Sequence, residues 1–303
     1  MNAAGNVIIR EVALRDGLQS EKAFLSTDRK VAIARSLANA GVRYLETTSF
    51  VSPRAVPQLS DAADVMAGVT RGPLADEMVH EVMVPNQKGA ERAIAAGADR
   101  VIGFVSASEA HNRANLGRGI RQSFADLEAV FSLANDRSVP VGIAIAVAFG
   151  CPYAGRVARG DVFDMAARCV DRGADRITLA DTTGMANPAQ VGDTVAFFKD
   201  RMPGVTFCLH LHNNRGIAMA NLYAGYLAGI EVFDTSLGGI GGCPNVPQAA
   251  GNLATEDVVY MFESMGVETG MDLFKLIEAA QKLETLLEHP LPGQVMKSGA
   301  DGF

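Results

Sequence analysis

Two hydrophobic rhythms alternate along this chain, and the change from one to the other is marked the same way each time. Stretches with apolar residues every three or four positions end at a glycine, and a short β-branched run follows. The pattern reads AGVRYLETTSF from Ala40, AGADRVIGFV from Ala96, RGADRITLADT from Arg172 and AGIEVFDTSLG from Ala228. A glycine just past a helix takes the left-handed turn that lets the chain reverse, and a β-branched run after it reads as a buried strand. Strands are expected on this basis at 7–12, 44–47, 79–84, 100–104, 141–147, 176–179, 206–211 and 232–235. Between them, 27–40, 87–96, 124–135, 162–171, 189–201 and 218–228 carry the period of amphipathic helices, and 272–287 reads as one more.

Eight strands with helical crossovers in about 250 residues match a closed (β/α)8 barrel. A doubly wound open sheet is disfavoured, because no GxGxxG follows the first strand and no break in the pattern marks a switch point. The expected fold is therefore α/β, a (β/α)8 TIM barrel with a short C-terminal helical extension. Residues 1–303 read as a single catalytic domain, with the barrel over about 6–265 and the extension over about 266–303.

Composition narrows the function classes. Hydrophobic residues make up 48% and charged residues 20%, which excludes a disordered or fibrous chain. A net charge of −7 argues against a nucleic-acid or anionic-lipid partner. No apolar run approaches the ~20 residues of a membrane span, and no signal or transit pattern opens the chain. The four cysteines are scattered without a CxxC pair, so neither a disulfide framework nor a zinc ribbon is indicated. A cytoplasmic enzyme is expected.

In such barrels chemistry gathers where the βα loops converge, at the C-terminal strand ends. Here the first strand ends in Arg15-Asp16-Gly17, the second carries Glu46, the sixth Asp181 and the seventh His210 and His212. The loop after the eighth is GGIGGCPNVPQAAGN, 238–252. Side chains two apart on a strand share a face, so His210 and His212 enter the mouth together. The pair suits a divalent metal and, equally, two hydrogen-bonded structural residues. Asp16 and Asn252 would add a carboxylate and an amide oxygen. With water completing the shell, that set favours Mg2+ or Mn2+.

Arg15 reads either as a local ion pair or as a fixed cation for an oxyanion developing on a substrate. Cys243 reads as a small apolar plug or as a thiol that donates a proton when its glycine loop closes. Glu46 reads as a partner of Arg15 or of a metal-bound water, or as a residue satisfying backbone groups. Lys22 and the polar stretch 106–118 lie in βα loops, as phosphate contacts or as solvated residues. Cys151, Cys169, Cys208, His80, His111 and His289 read as structural or surface residues.

On these residues the chain resembles the 3-hydroxy-3-methylglutaryl-CoA lyase family of the DRE-TIM metallolyases. The resemblance spans nearly the whole chain. It is carried by LRDGLQSE (14–21), YLETTSFVSP (44–53), FGCPYAGR (149–156), LADTTG (179–184), HLHNNRG (210–216) and GGIGGCPNVPQAAGNLATEDVVYM (238–261). It implies a TIM barrel holding one divalent cation through Asp16, His210, His212 and Asn252. It also implies Arg15 polarising a thioester carbonyl, Cys243 as acid or base, His210 as a candidate to relay the hydroxyl proton, and Glu46 and Asp181 supporting the site. The implied reaction is retro-Claisen cleavage of an acyl-CoA substrate, 3-hydroxy-3-methylglutaryl-CoA, to acetyl-CoA and acetoacetate, as in leucine catabolism, by a homo-oligomer (dimer or tetramer).

Asn213-Asn214 replaces the aspartate and threonine usual after HxH, Pro244-Asn245-Val246-Pro247 departs from the usual loop, and ADTTG stands for GDTIG. These departures keep open another 3-hydroxy acyl-CoA such as citramalyl-CoA. The alternatives are a superfamily aldolase or condensing enzyme, and a non-catalytic CoA- and metal-binding protein.

Overall fold

The apolar runs become eight parallel strands that close on themselves in chain order, each pairing with the next and the last returning to the first. This computed structural model of the protein describes residues 7–71, 77–242 and 250–300. The strands are β1 (Ile8–Glu11), β2 (Tyr44–Ser49), β3 (Val79–Met83), β4 (Arg100–Ser106), β5 (Val141–Ala146), β6 (Ala174–Asp181), β7 (Thr206–Leu211) and β8 (Val232–Thr235). The helices are α1 (Thr27–Asn39), α2 (Ala62–Val69), α3 (Gln87–Ala95), α4 (Glu109–Leu116), α5 (Ile120–Asp136), α6 (Arg159–Val170), α7 (Pro188–Arg201) and α8 (Ala218–Leu227). After β8 come α9 (Thr255–Ser264), α10 (Leu273–Leu287) and α11 (Val295–Ser298). The architecture is the (β/α)8 TIM barrel that the alternating rhythms imply, with C-terminal helices beyond it. Among the described residues no helix is long and apolar enough to cross a membrane.

β7 and β8 lie where the apolar pattern places them. β6 is longer than its apolar core, running over Ala174–Asp181 rather than 176–179. Apolarity stops at its flanks but the ladder does not, because Ala174 pairs with Val141 and Asp181 with Leu211. The stretch 106–118, expected as a polar loop, contains α4. Ser108 caps that helix by accepting a hydrogen bond from the His111 N–H, and Gly117 ends it at φ +65°. A capped helix can form from residues that carry almost no apolar period.

Two features, one on each side of the strands, position the site. On the outside of the strands, Phe163 of α6, Phe198 of α7 and Phe207 of β7 meet edge to face with centroids 5.4–5.5 Å apart, locking helices to β7. Inside the barrel, Arg10 of β1, Glu81 of β3, Arg176 of β6 and Asp234 of β8 form a buried ionic network. Arg10 Nη1 donates to Glu81 Oε2 at 2.8 Å and Arg10 Nε to Asp234 Oδ1 at 2.6 Å, while Arg176 also donates to Glu81. Charges this deep are tolerable only when paired. Beyond the barrel, α10 docks on α1 where the Asp272 N–H bonds the Ala40 carbonyl at 2.8 Å.

Candidate active site

After β1 the chain winds into one π-helical turn, Ala13–Gly17, in which every residue is buried. Such turns are rare and re-aim side chains, which is why they collect at functional sites. Here the N–H groups of Arg15, Asp16 and Gly17 all bond back to the Val12 carbonyl, at 3.1, 2.8 and 3.2 Å. Gly17 is required by close approach: a Cβ there would lie 2.6 Å from Ile240 Cγ1.

The turn brings Asp16 to the imidazoles of His210 on β7 and of His212 just past its end. Asp16 Oδ2 lies 3.8 Å from His210 Nε2 and 3.5 Å from His212 Nε2, and the two Nε2 atoms are 2.9 Å apart. Among the described residues this is the grouping of His, Cys, Asp and Glu able to hold a metal ion. Neighbouring ligand atoms on an octahedral ion with bonds of about 2.1 Å sit about 3 Å apart, so the three atoms suit one shared cation. Asn252 completes the ring, bridging to His212 through the backbone. Its Nδ2 donates to Asp16 Oδ2 at 2.8 Å and to the Ile240 carbonyl at 3.2 Å, leaving its buried Oδ1 without a partner. An amide oxygen at the ion therefore requires the Asn252 amide to exchange its two ends, a rotation about one bond. The carboxylate and the two imidazoles fit a hard or borderline divalent cation, and the Asn252 oxygen joins them only after that rotation.

Arg15 is held rather than free. Its Nε and Nη2 grip Glu46 Oε1 and Oε2 at 2.7 and 3.1 Å, and Nη1 reaches Asp16 Oδ1 at 2.6 Å. Burial pushes the Asp16 carboxyl up, but Arg15 and the two histidines outweigh it and hold its pKa well below the ordinary range. Burial also opposes protonation of His210. The hydrogen bond to Asp234 and the Asp16 charge overcome this, so its pKa is raised.

The other expected residues fall elsewhere. Asp181 is fully buried at the end of β6, with its carboxylate accepting the Met185 and Ala186 N–H groups at 2.8 and 3.0 Å, so it ties down its own loop. Lys22 is exposed. Cys243 lies outside the described residues.

Sequence reasoning missed two groups. Asp234 backs His210, and its only local signal is an acidic residue inside the apolar run VFDT. Glu11 and Glu256 form the second group, linking the π turn to the glycine loop. Glu11 Oε1 accepts the Ala13 and Leu237 N–H groups at 2.8 and 3.0 Å, and Glu256 Oε2 accepts that of Gly238 at 3.1 Å.

Burial lifts Glu256 from 4.5 to about 8 and Glu11 from 4.5 to about 7. Between these limits the folded chain binds protons that the unfolded chain has released. The contribution of these two groups to stability is therefore full below about 4.5 and is lost as pH rises towards 8. Glu256→Gln mimics the protonated acid and keeps an acceptor for Gly238. Urea unfolding followed from pH 5 to pH 8.5 should show a shallower loss of stability for the variant than for wild type; equal slopes would exclude Glu256 as the source.

A cavity of about 390 Å³ joins these parts. It is lined by Arg15, Asp16, His210 and His212, reaches down to Arg10 and Asp234, and extends past His111 and Arg118. The HMGL-like family matches residues 6–283. Hydroxymethylglutaryl-CoA lyase YngG of Bacillus subtilis is 39% identical over 96% of this chain and 98% of its own length. (R)-citramalyl-CoA lyase of Chloroflexus aurantiacus is 43% identical over 97% of this chain and 95% of its own. A solved HMG-CoA lyase from Acinetobacter baumannii, in complex with coenzyme A and 3-methylmalate, superposes with a TM-score of 0.93 at 38% identity, covering 98% of this chain and 96% of that one.

Proposed function

The chain belongs to the HMGL-like family, and from that premise we propose that it cleaves 3-hydroxy-3-methylglutaryl-CoA to acetyl-CoA and acetoacetate, with a divalent cation as cofactor. Carbon–carbon lyase chemistry is what its relatives are named for. The observation that carries the reading is the convergence of Asp16, His210 and His212 beside a buried, clamped Arg15.

Cleavage breaks the bond between the hydroxyl-bearing carbon and the carbon next to the thioester. The hydroxyl gives up its proton, its oxygen becomes the new ketone, and the bond pair passes to the acetyl-CoA fragment as an enolate. Mg2+ or Mn2+, held by Asp16, His210, His212 and Asn252, would lower the pKa of that hydroxyl and polarise the oxygens beside it. The hydroxyl proton passes to the Asp16 carboxylate, whose oxygens keep a lone pair free when one is given to the ion, and Asp16 Oδ2 lies 3.8 Å from His210 Nε2. Arg15 donates to the thioester oxygen as negative charge develops there, and Glu46 fixes the plane of its guanidinium. Protonation of the acetyl-CoA carbon is the task assigned to Cys243, and Asp181 keeps the loop after β6 in place.

A second reading, cleavage of citramalyl-CoA to acetyl-CoA and pyruvate, draws on the relative at 43% identity. It draws as well on Asn214, whose side-chain amide has neither atom partnered among the described residues. Acetyl-CoA release from the two thioesters tests both readings. The first expects the higher kcat/KM on 3-hydroxy-3-methylglutaryl-CoA; a preference for citramalyl-CoA replaces it with the second, and no release from either removes the lyase assignment.

A further inference from the structure

His210 is the one member of the cluster whose far nitrogen is engaged: its Nδ1 lies 3.1 Å from Asp234 Oδ2. Strand register makes this pairing. Asp234 of β8 sits opposite His210 on one side and opposite Arg10 of β1 on the other. Arg10 grips both oxygens of the Asp234 carboxylate, through Nε at 2.6 Å and through Nη2, and the Cys208 thiol donates to Oδ1 at 3.0 Å. Arg10 is itself anchored on Glu81, which Arg176 also holds. All of these side chains are buried.

We propose that Asp234, clamped by Arg10, is a positioning residue that fixes His210 in its Nδ1–H tautomer and so aims the Nε2 lone pair at Asp16 and His212. The reasoning is one of donors and acceptors. A carboxylate gripped on both oxygens by a guanidinium fork has only lone pairs to offer, so the atom facing it must be an N–H. A neutral imidazole carries one proton, and with Nδ1 protonated the free lone pair is on Nε2. That is the atom nearest His212 Nε2 and Asp16 Oδ2. A carboxylate behind a ligating histidine fixes the tautomer and strengthens the ligand. His212 lacks this support, since its Nδ1 has no partner among the described residues. The two imidazoles are therefore unequal, and His210 is the pre-organised one.

This inference rests on the cluster being a divalent-metal centre, so its test separates the two. In 15N-histidine-labelled, metal-free protein, at a pH where the ring is neutral, long-range 1H–15N spectra report which nitrogen of His210 carries the proton. Wild type should show the Nδ1–H form, and Asp234→Asn should show a mixture or the Nε2–H form. Mn2+ titration should give a Kd weakened about 10- to 100-fold in Asp234→Asn, with Arg10→Met in between. An Nε2–H ring in wild type overturns the proposal, as does a folded Asp234→Asn that binds Mn2+ as tightly as wild type. If Asp234→Asn does not fold, the wild-type tautomer decides. Failure of wild type to bind Mn2+ would refute the metal centre, and the tautomer would still judge the role of Asp234.

Discussion

Arg15→Met is expected to lower kcat roughly 10²- to 10³-fold while leaving KM within a few-fold, the pattern of a group that acts on charge present only in the transition state. The guanidinium is already oriented, with two nitrogens on Glu46 and one on Asp16, so no ordering remains for the moment of reaction. Arg15→Lys should recover little. An ammonium is a point donor that cannot hold the Glu46 fork and reach a thioester oxygen at once. Removing a cation 2.6 Å from Asp16 Oδ1 should leave Mn2+ binding intact or tighter. Steady-state kinetics with a parallel Mn2+ titration checks this. A kcat within about threefold of wild type would take Arg15 out of the chemistry, and a collapse of Mn2+ binding would show that it serves the ligands instead.

The reach and limits of the sequence are visible in the same residues. β7 and β8 were legible because a strand buried in a parallel barrel is an apolar run bounded by turn signals, and both properties are local. His210 and His212 were legible as a pair because the period of a strand is two. Asp16 could be placed at a strand end, but its 3.5 Å approach to His212 depends on a π turn that no local propensity encodes. Asp234 was invisible for a stronger reason. Its partners Arg10 and His210 are 224 and 24 residues away, and only the closure of β8 onto β1 brings all three into line. Asn252 shows a third kind of limit: the residue was identifiable, but which end of its amide faces Asp16 is decided by the surrounding hydrogen bonds. Ion pairs across a barrel and amide orientation are products of tertiary closure, so they follow the fold and cannot precede it.

Removal of the divalent ion should abolish turnover, and Asp16→Asn should make that loss permanent. Asp16 is the only carboxylate in the cluster, and its pKa lies well below the ordinary range, so it is charged throughout the working pH range. The substitution replaces the one anion facing the cation by a neutral amide while leaving both imidazoles in place. Lewis-acid activation contributes several kcal/mol to reactions of this type, so a fall in kcat of about 10³-fold or more is the expected scale. Wild type stripped with EDTA should regain activity on addition of Mg2+ or Mn2+, whereas stripped Asp16→Asn should not at the same concentration. His212→Ala should fall between them, because it removes a neutral ligand that lacks a carboxylate behind it. Thermal unfolding of the metal-free forms separates loss of the ion from loss of the fold: Asp16→Asn should still unfold cooperatively without metal, at a lower temperature than wild type because Arg15 loses its partner, and should gain less on metal addition. Full turnover in a metal-free preparation would mean that Asp16, His210 and His212 act on the substrate directly. The buried guanidinium of Arg15 would then have to serve as the electrophile.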